Sequence, residues 1–253
     1  MKSFQHCTIV LFLLFLTSCA STKVMRLKPV EQESIFDGGK QIVKQERDDI
    51  KIVASYDGQY QKYMIFDVEV FNNTSQPLTV SPKDFLFTPL DENKQTLQSL
   101  DGKYVYSYEG VEPQEQMNLI RREIAFQESK IKRARVVNTV LFVGGIAALI
   151  ASSGRYTESA WKTARVAETV VQVAQVKRII DHENFYSRMN KLEHDGKMWQ
   201  QENFRTTTLL PGTSIRGGVF LEANSHAKFV QLSYQGTTNP INFLFEQWFE
   251  VRR

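Results

Sequence analysis

The chain has 253 residues, of which 42% are hydrophobic and 23% are charged, so we expect a folded globular protein and no disorder over most of its length. Its formal net charge is only +3, and we therefore predict no nucleic-acid partner. Both cysteines, Cys7 and Cys19, lie close to the N-terminus.

The first eighteen residues have the pattern of an export signal. Lys2 gives a positive start, residues 9–16 form an apolar run, and small residues follow. The run is too short to span a membrane. We predict that residues 1–18 are a signal peptide and that cleavage leaves Cys19 as the first residue. Because Cys7 would be lost, the mature chain could form no intramolecular disulfide.

The residues Leu16-Thr17-Ser18-Cys19 resemble the lipobox of bacterial lipoproteins. The resemblance implies that Cys19 carries acyl chains, such as palmitate, that hold the protein on a membrane of the cell envelope. The absence of Asp after Cys19 resembles the sequences of lipoproteins sent to the outer membrane, on its periplasmic face or at the cell surface. An ordinary signal peptide with an incidental Cys19 is the alternative. Residues 19–47 are mostly polar and predict a lipidated tether.

Two separate parts of the chain have strand patterns. Met64, Phe66, Val68 and Val70 alternate with polar residues, which predicts a half-buried antiparallel strand. Short apolar runs between turn signals continue to residue 111 and return from residue 204. Neither part has enough strands to bury its own faces. We therefore predict one β-sandwich built from residues 48–111 and residues 204–253.

Two segments of these parts, residues 70–80 and 210–220, are similar to immunoglobulin-like extracytoplasmic domains of bacterial lipoproteins. The resemblance implies a binding or scaffolding domain, and the fold alone assigns no function. The predicted fold class is α+β, an immunoglobulin-like antiparallel β-sandwich split by a long α-helical hairpin insertion.

Residues 112–203 form the predicted insertion. Met117, Ile120 and Ile124 have helical spacing, and so does a second apolar stripe farther along the chain. Ser152-Ser153-Gly154 interrupts the pattern, which predicts two antiparallel helices that meet near Gly154. The second stripe consists of Val166, Val170, Val173, Val176 and Ile180.

Residues 136–151 carry no charge and have three possible environments. They could be buried against the second helix or the β-sandwich, since their length is below a full membrane span. They could instead contact a membrane or another copy at the hairpin tip, or form a true transmembrane helix. The predicted membrane or partner contacts are Val140, Leu141, Phe142, Val143, Ile146, Leu149 and Ile150.

Recognisable catalytic motifs are absent from the sequence. His182 and His194 each stand between acidic residues, but neighbouring helix positions point in different directions and the His-Glu-x-x-His spacing is missing. Neither a phosphate-binding loop nor a serine elbow occurs. We predict no catalytic residue, metal site or cofactor. In the aromatic pair Trp248-Phe249, alternation predicts one core residue and one outward residue.

These features predict a non-enzymatic, membrane-anchored envelope lipoprotein that acts as a scaffold or binding module. Its helical hairpin would contact an envelope protein, another copy or membrane. An oligomeric assembly or secretion-system accessory lipoprotein, whose hairpins form a ring or pore, is the alternative. A hydrolase of envelope material is a third hypothesis.

Overall fold

The computed structural model describes residues 22–99, 103–152, 158–201 and 203–252. The predicted signal peptide and Cys19 lie outside these ranges. The chain forms two units, a β unit that comprises the parts before Pro113 and after Gln201, and a helical unit, Pro113–Gln201. The α+β fold class with a helical hairpin inserted in mid-chain is confirmed.

In the described residues, the β unit contains two five-stranded antiparallel sheets and a two-stranded one. In chain order its strands are β1 (Thr22–Pro29), β2 (Ser34–Asp37), β3 (Lys40–Arg47), β4 (Ile50–Tyr60), β5 (Tyr63–Asn72), β6 (Leu78–Val80), β7 (Phe85–Leu90), β8 (Tyr108–Glu109), β9 (Thr207–Leu209), β10 (Ser214–Glu222), β11 (Phe229–Tyr234) and β12 (Ile241–Arg252). The first sheet has the order β1-β12-β11-β7-β8, and the second has the order β10-β5-β4-β3-β2. Strands β6 and β9 form the small sheet.

The two large sheets share one hydrophobic core. On β5, Met64, Phe66, Val68 and Val70 are fully buried, so the predicted alternation is confirmed. The ring of Phe66 packs against that of Phe245 on the other large sheet, with centroids 5.2 Å apart. Strands from both parts of the chain therefore build a single sandwich core.

The turn after β5 ties the two parts of the β unit together. The buried side chain of Asn72 donates through Nδ2 to the carbonyl oxygens of Gln76, at 2.8 Å, and Leu209, at 3.0 Å. Its Oδ1 accepts from the backbone N–H and the hydroxyl group of Thr74. All these groups are satisfied, so burying the amide carries little penalty.

The prediction of a tether over residues 19–47 is wrong for the described part, because residues 22–47 contain β1, β2 and β3. Met25 and Leu27 of β1 belong to the core, and β1 pairs along its whole length with β12. Arg26 separates these two side chains and Lys28 follows them, because one face of a sandwich strand points away from the core. The apolar signal was therefore too sparse to indicate a strand.

Strand β1 can be tested through its most buried residue, Met25, which is 2% exposed. Met25→Ala should lower the free energy of unfolding of the β unit by about 2–4 kcal/mol, because it removes a buried side chain and leaves a cavity. Lys23→Ala, on the same strand but exposed, should change it by less than about 0.5 kcal/mol. Urea unfolding followed by fluorescence measures both. Equal midpoints for the two variants would indicate a tether.

Candidate docking surface on the helical hairpin

The helical unit consists of two long antiparallel helices, α1 (Pro113–Ser152) and α2 (Glu158–Gln200). On α1, Ile131, Asn138 and Gly145 are buried at intervals of seven residues, and on α2 the same interval separates Ala160, Ala167 and Ala174. This heptad spacing is typical of a coiled coil. We call these positions the seam of the hairpin. Most of its residues are small, which allows the helices to approach closely.

Gly145 is the point of closest approach on α1. A Cβ atom at this position would lie 2.6 Å from Cγ2 of Val171 and 3.3 Å from the carbonyl oxygen of Ala167. Val171 has a stiff, branched side chain that cannot move away at low cost. Gly144, its neighbour, has nothing within 4 Å of such an atom. Only one glycine of the pair is therefore required by packing.

The two adjacent glycines provide a matched test of this seam. Gly145→Ala should destabilise the hairpin by about 1–3 kcal/mol through overpacking, even though alanine has the higher helix propensity. Gly144→Ala should stabilise it by up to about 1 kcal/mol, because the added methyl group meets open space. Thermal unfolding followed by circular dichroism at 222 nm compares them. The same shift in both variants would contradict the close approach.

A polar cluster interrupts the seam at the base of its apolar half. Asn138 donates through Nδ2 to Oδ2 of Asp181 at 3.1 Å, and Lys177 donates to the same oxygen at 2.5 Å. The hydrogen bond from Lys177, aided by that from Asn138, holds the pKa of Asp181 below its usual range. A polar residue at a seam position allows only one pairing of two helices, so this cluster fixes the register of the hairpin.

Beyond this cluster, α1 is apolar on all sides and largely exposed. By length and composition, one helix among the described residues, Pro113–Ala151, could cross a membrane. Its most apolar stretch of 18 residues has a mean hydropathy of 1.9, yet only 11% of that stretch is buried. A core helix of a soluble protein is also apolar all round, but it is mostly buried. Burial within this chain therefore does not account for residues 136–151.

The predicted contact residues lie on this exposed surface. Val140 is 65% exposed and Ile150 is 68% exposed. Leu149 is half-buried, and the others leave at least a third of their surface in water; they are Leu141, Phe142, Val143 and Ile146.

Helix α2 adds an exposed apolar face of its own. The apolar stripe that the sequence predicted for α2 does not pack in the seam. Most of its residues are more than half exposed, namely Val166, Val173, Val176 and Ile180, and alanines occupy the seam positions instead. Sequence reasoning missed this face because valine carries a stronger hydrophobic signal than alanine. Ile179 is exposed as well, and it lies on the other side of the seam from Val166 and Val173.

The two helices enclose a different groove on each side of the seam. The apolar side forms adjoining hollows of about 470 and 280 Å³, lined by Leu141, Gly144, Ala148, Val166, Val170 and Val173 among others. The other side forms a hollow of about 470 Å³ with a basic lining that includes Arg135, Arg178 and His182. The lining thus differs between the two sides: Lys162 borders the apolar side, whereas Arg135 and Arg178 both line the other.

Charge is distributed unequally between the helices in the tip half. Residues 136–151 of α1 carry none, whereas α2 has the exposed residues Glu158, Lys162, Arg165 and Glu168. Exposed basic residues also precede the apolar part of α1; they are Lys130, Lys132, Arg133 and Arg135. An occupant that covers α1 and leaves the charges of α2 in water avoids the cost of burying them, although Lys162 borders the apolar hollow.

The described residues contain no group of three or more His, Cys, Asp or Glu side chains that could hold a metal ion. His182 makes an edge contact with the ring of Tyr186, at 4.6 Å between centroids. His194 is more than three helical turns, about 18 Å, away along α2, so the two acidic histidine segments of the sequence do not combine into one site.

Comparison of the chain with protein families, curated proteins and solved structures finds no match. Its function is therefore inferred from its own residues and geometry.

Proposed function

We propose that this protein is a non-enzymatic, membrane-anchored envelope lipoprotein whose β unit is a scaffold and whose helical hairpin is a docking surface. The observation that carries the proposal is the exposed apolar half of α1. Contiguous apolar patches larger than roughly 300–600 Å² are rare on monomers and mark interaction sites. Val140, Val143 and Ile150 are each more than half exposed, so the tip of α1 carries an apolar surface of this kind.

The anchor in this proposal is Cys19. The positive start, the short apolar run and the small residues before Cys19 support cleavage and acylation there. More than one acyl chain on a single residue gives stable membrane attachment. We place the protein in the cell envelope, at the outer membrane.

The strand connectivity supports an immunoglobulin-like scaffold. Strands β4, β5 and β10 lie side by side in one sheet, and β7, β11 and β12 lie side by side in the other. Immunoglobulin domains divide their A, B and E strands from their C, F and G strands in the same way. The hairpin then occupies the position of strand D, between the third and fifth strands of that scheme. Domains of this kind present inserted segments for binding.

The charges of α2 favour protein over lipid as the occupant of the docking surface. A bilayer that covered the tip would also have to cover Lys162 and Arg165, at about 2.5–3.5 kcal/mol each near its centre. A protein partner can cover α1 and leave these charges in water. Because α1 is apolar on every side, neighbouring hairpins in an oligomer could cover it most completely. This last point favours the second candidate function, an oligomeric assembly or secretion-system accessory lipoprotein.

The anchor is tested by Cys19→Ala. The variant should accumulate unprocessed or leave the membrane fraction, because no residue remains to carry the acyl chains. Fractionation of expressing cells, with metabolic labelling by a palmitate analogue, measures this. Cys7→Ala is the control and should be processed and labelled like the wild type. Processed, membrane-bound protein from Cys19→Ala would refute acylation at this residue.

The docking surface is tested with two double variants of a soluble chain that starts at Ser21. Val140→Gln with Val143→Gln should abolish self-association while leaving helix content unchanged, because both side chains are exposed. Leu119→Gln with Phe126→Gln changes two equally exposed apolar residues on the same helix outside the tip, and should have no effect. Sedimentation velocity and vesicle flotation are the measurements.

The two measurements separate the possible occupants. Self-association that only the tip variant loses identifies another copy as the occupant. Vesicle binding by a monomer, again lost only in the tip variant, identifies a membrane. A wild-type chain that neither self-associates nor binds vesicles would contradict both another copy and a membrane as the occupant.

A further inference from the structure

The N-terminal and C-terminal strands of the β unit form a ribbon that extends past the rest of its sheet. Strand β12 pairs with β11 from Ile241 to Glu246 and with β1 from Phe245 to Arg252, so among the described residues its strand pairing from Trp248 onwards is with β1 alone. Thr22 lies opposite Arg252, and Arg26 lies opposite Trp248. We call these paired segments, residues 22–26 and 248–252, the terminal ribbon. A two-stranded ribbon is only marginally stable in water by itself.

Both faces of the terminal ribbon carry exposed apolar side chains. Trp248 is 41% exposed, Phe249 38% and Val251 52%. Because successive residues of a strand point to opposite faces, Trp248 lies on one face and the other two lie on the opposite one. The sequence predicted one buried and one outward residue for the pair Trp248-Phe249, and that prediction is wrong. Each side chain is only partly covered, because both lie at the end of the core, next to Met25, where the strand pairing of β12 with β11 has ended at Glu246.

Basic side chains alternate with these apolar residues. Lys23 is exposed and lies opposite Val251 in the register. The Nζ atom of Lys28 lies 5.9 Å from the centroid of the Trp248 ring, and Nε of Arg26 donates to Glu250 at 2.9 Å. Aromatic rings next to basic groups are typical of the interfacial layer of a membrane, where Trp is enriched and Lys meets lipid phosphates.

The position of the chain end indicates which surface covers the ribbon. Only Ala20 and Ser21 separate Cys19 from Thr22, the first residue of β1. Three residues extend at most about 10 Å. If Cys19 carries acyl chains, the start of β1 must therefore lie at the membrane surface, with Phe249 and Val251 beside it.

We propose that the terminal ribbon rests in the headgroup layer of the bilayer that holds the acyl chains of Cys19. This inference depends on the lipid anchor proposed above. The ribbon then gives the anchored β unit a fixed orientation, which acyl chains on a flexible tether would not impose.

The orientation can be read from the connections of the ribbon. Gln247 donates through Nε2 to the carbonyl oxygen of Asn224, and the N–H of Ala223 donates to Lys62 in the β4–β5 turn. The ribbon therefore lies at the same end of the sandwich as that turn. Asn72 and Ser75 lie at the opposite end of β5, which is ten residues long and spans about 30 Å. We expect the ribbon end to touch lipid and the Ser75 end to face away.

Tryptophan quenching by brominated phospholipids tests this orientation. The protein is full-length, acylated and reconstituted into vesicles, and Trp161→Phe with Trp199→Phe leaves Trp248 as its tryptophan. We expect the brominated lipid to reduce its fluorescence roughly twofold or more, because the ring lies in the interface. The matched control adds Trp248→Phe and Ser75→Trp to the same background, and should show no quenching. Circular dichroism verifies that both variants fold.

Separate outcomes test the anchor and the ribbon. Protein that floats with the vesicles but shows no quenching of Trp248, or equal quenching in the Ser75→Trp variant, would overturn the ribbon contact and leave the anchor intact. Protein that does not float would overturn the anchor and the ribbon contact together. Quenching confined to Trp248 supports both. Trp248→Ser with Phe249→Ser in the wild-type background should also make the bound protein easier to extract with salt, without releasing it from the acyl anchor.

Discussion

The small residues in the seam of the hairpin decide which side chains face water. In the tip half, Gly145 and the alanines at 160, 167 and 174 bring the two helices so close that the larger side chains of Val166, Val173 and Val176 stay outside the seam. Those residues point outwards instead, and the polar cluster around Asp181 holds this register. The exposed apolar surface is thus a consequence of the close approach of the two helices at Gly145.

The two chain ends play a related part in the β unit. Strand β1 is the edge of its sheet and pairs along its whole length with β12, so the first and last described residues lie side by side. Under the proposed acylation of Cys19, a force on the acyl chains acts on a sheet and not on a flexible segment. The same arrangement explains why aromatic residues on β12 extend past the core. They would be covered by the bilayer next to the anchor, in the way that the hairpin tip would be covered by a partner.

Sequence patterns predicted those elements whose apolar residues recur at a regular spacing. The alternation of Met64, Phe66, Val68 and Val70 predicted β5, and helical spacing with the break near Ser152 predicted two antiparallel helices. Strand β1 was missed because its two core residues, Met25 and Leu27, are too few to give a clear alternation among mostly polar neighbours. The valine stripe of α2 showed that this helix has an apolar face, but it did not show whether that face packs against α1. Packing against α1 is decided by the small residue Gly145 on the other helix, which periodicity alone does not reveal.

The central claim is that the apolar half of α1, exposed in the single chain, is covered in the cell envelope. Thiol labelling tests it directly, since acylation would occupy the only cysteine of the mature chain, Cys19. Val140→Cys and Val143→Cys variants would be treated in intact envelopes with a membrane-impermeant maleimide after the outer membrane is opened, beside Glu128→Cys, an exposed position on the same helix. We predict that the first two are protected and that Glu128→Cys reacts, with all three reacting equally once detergent and denaturant disperse the envelope. Equal labelling of all three in the intact envelope would show that the surface stays in water, and would contradict a docking function.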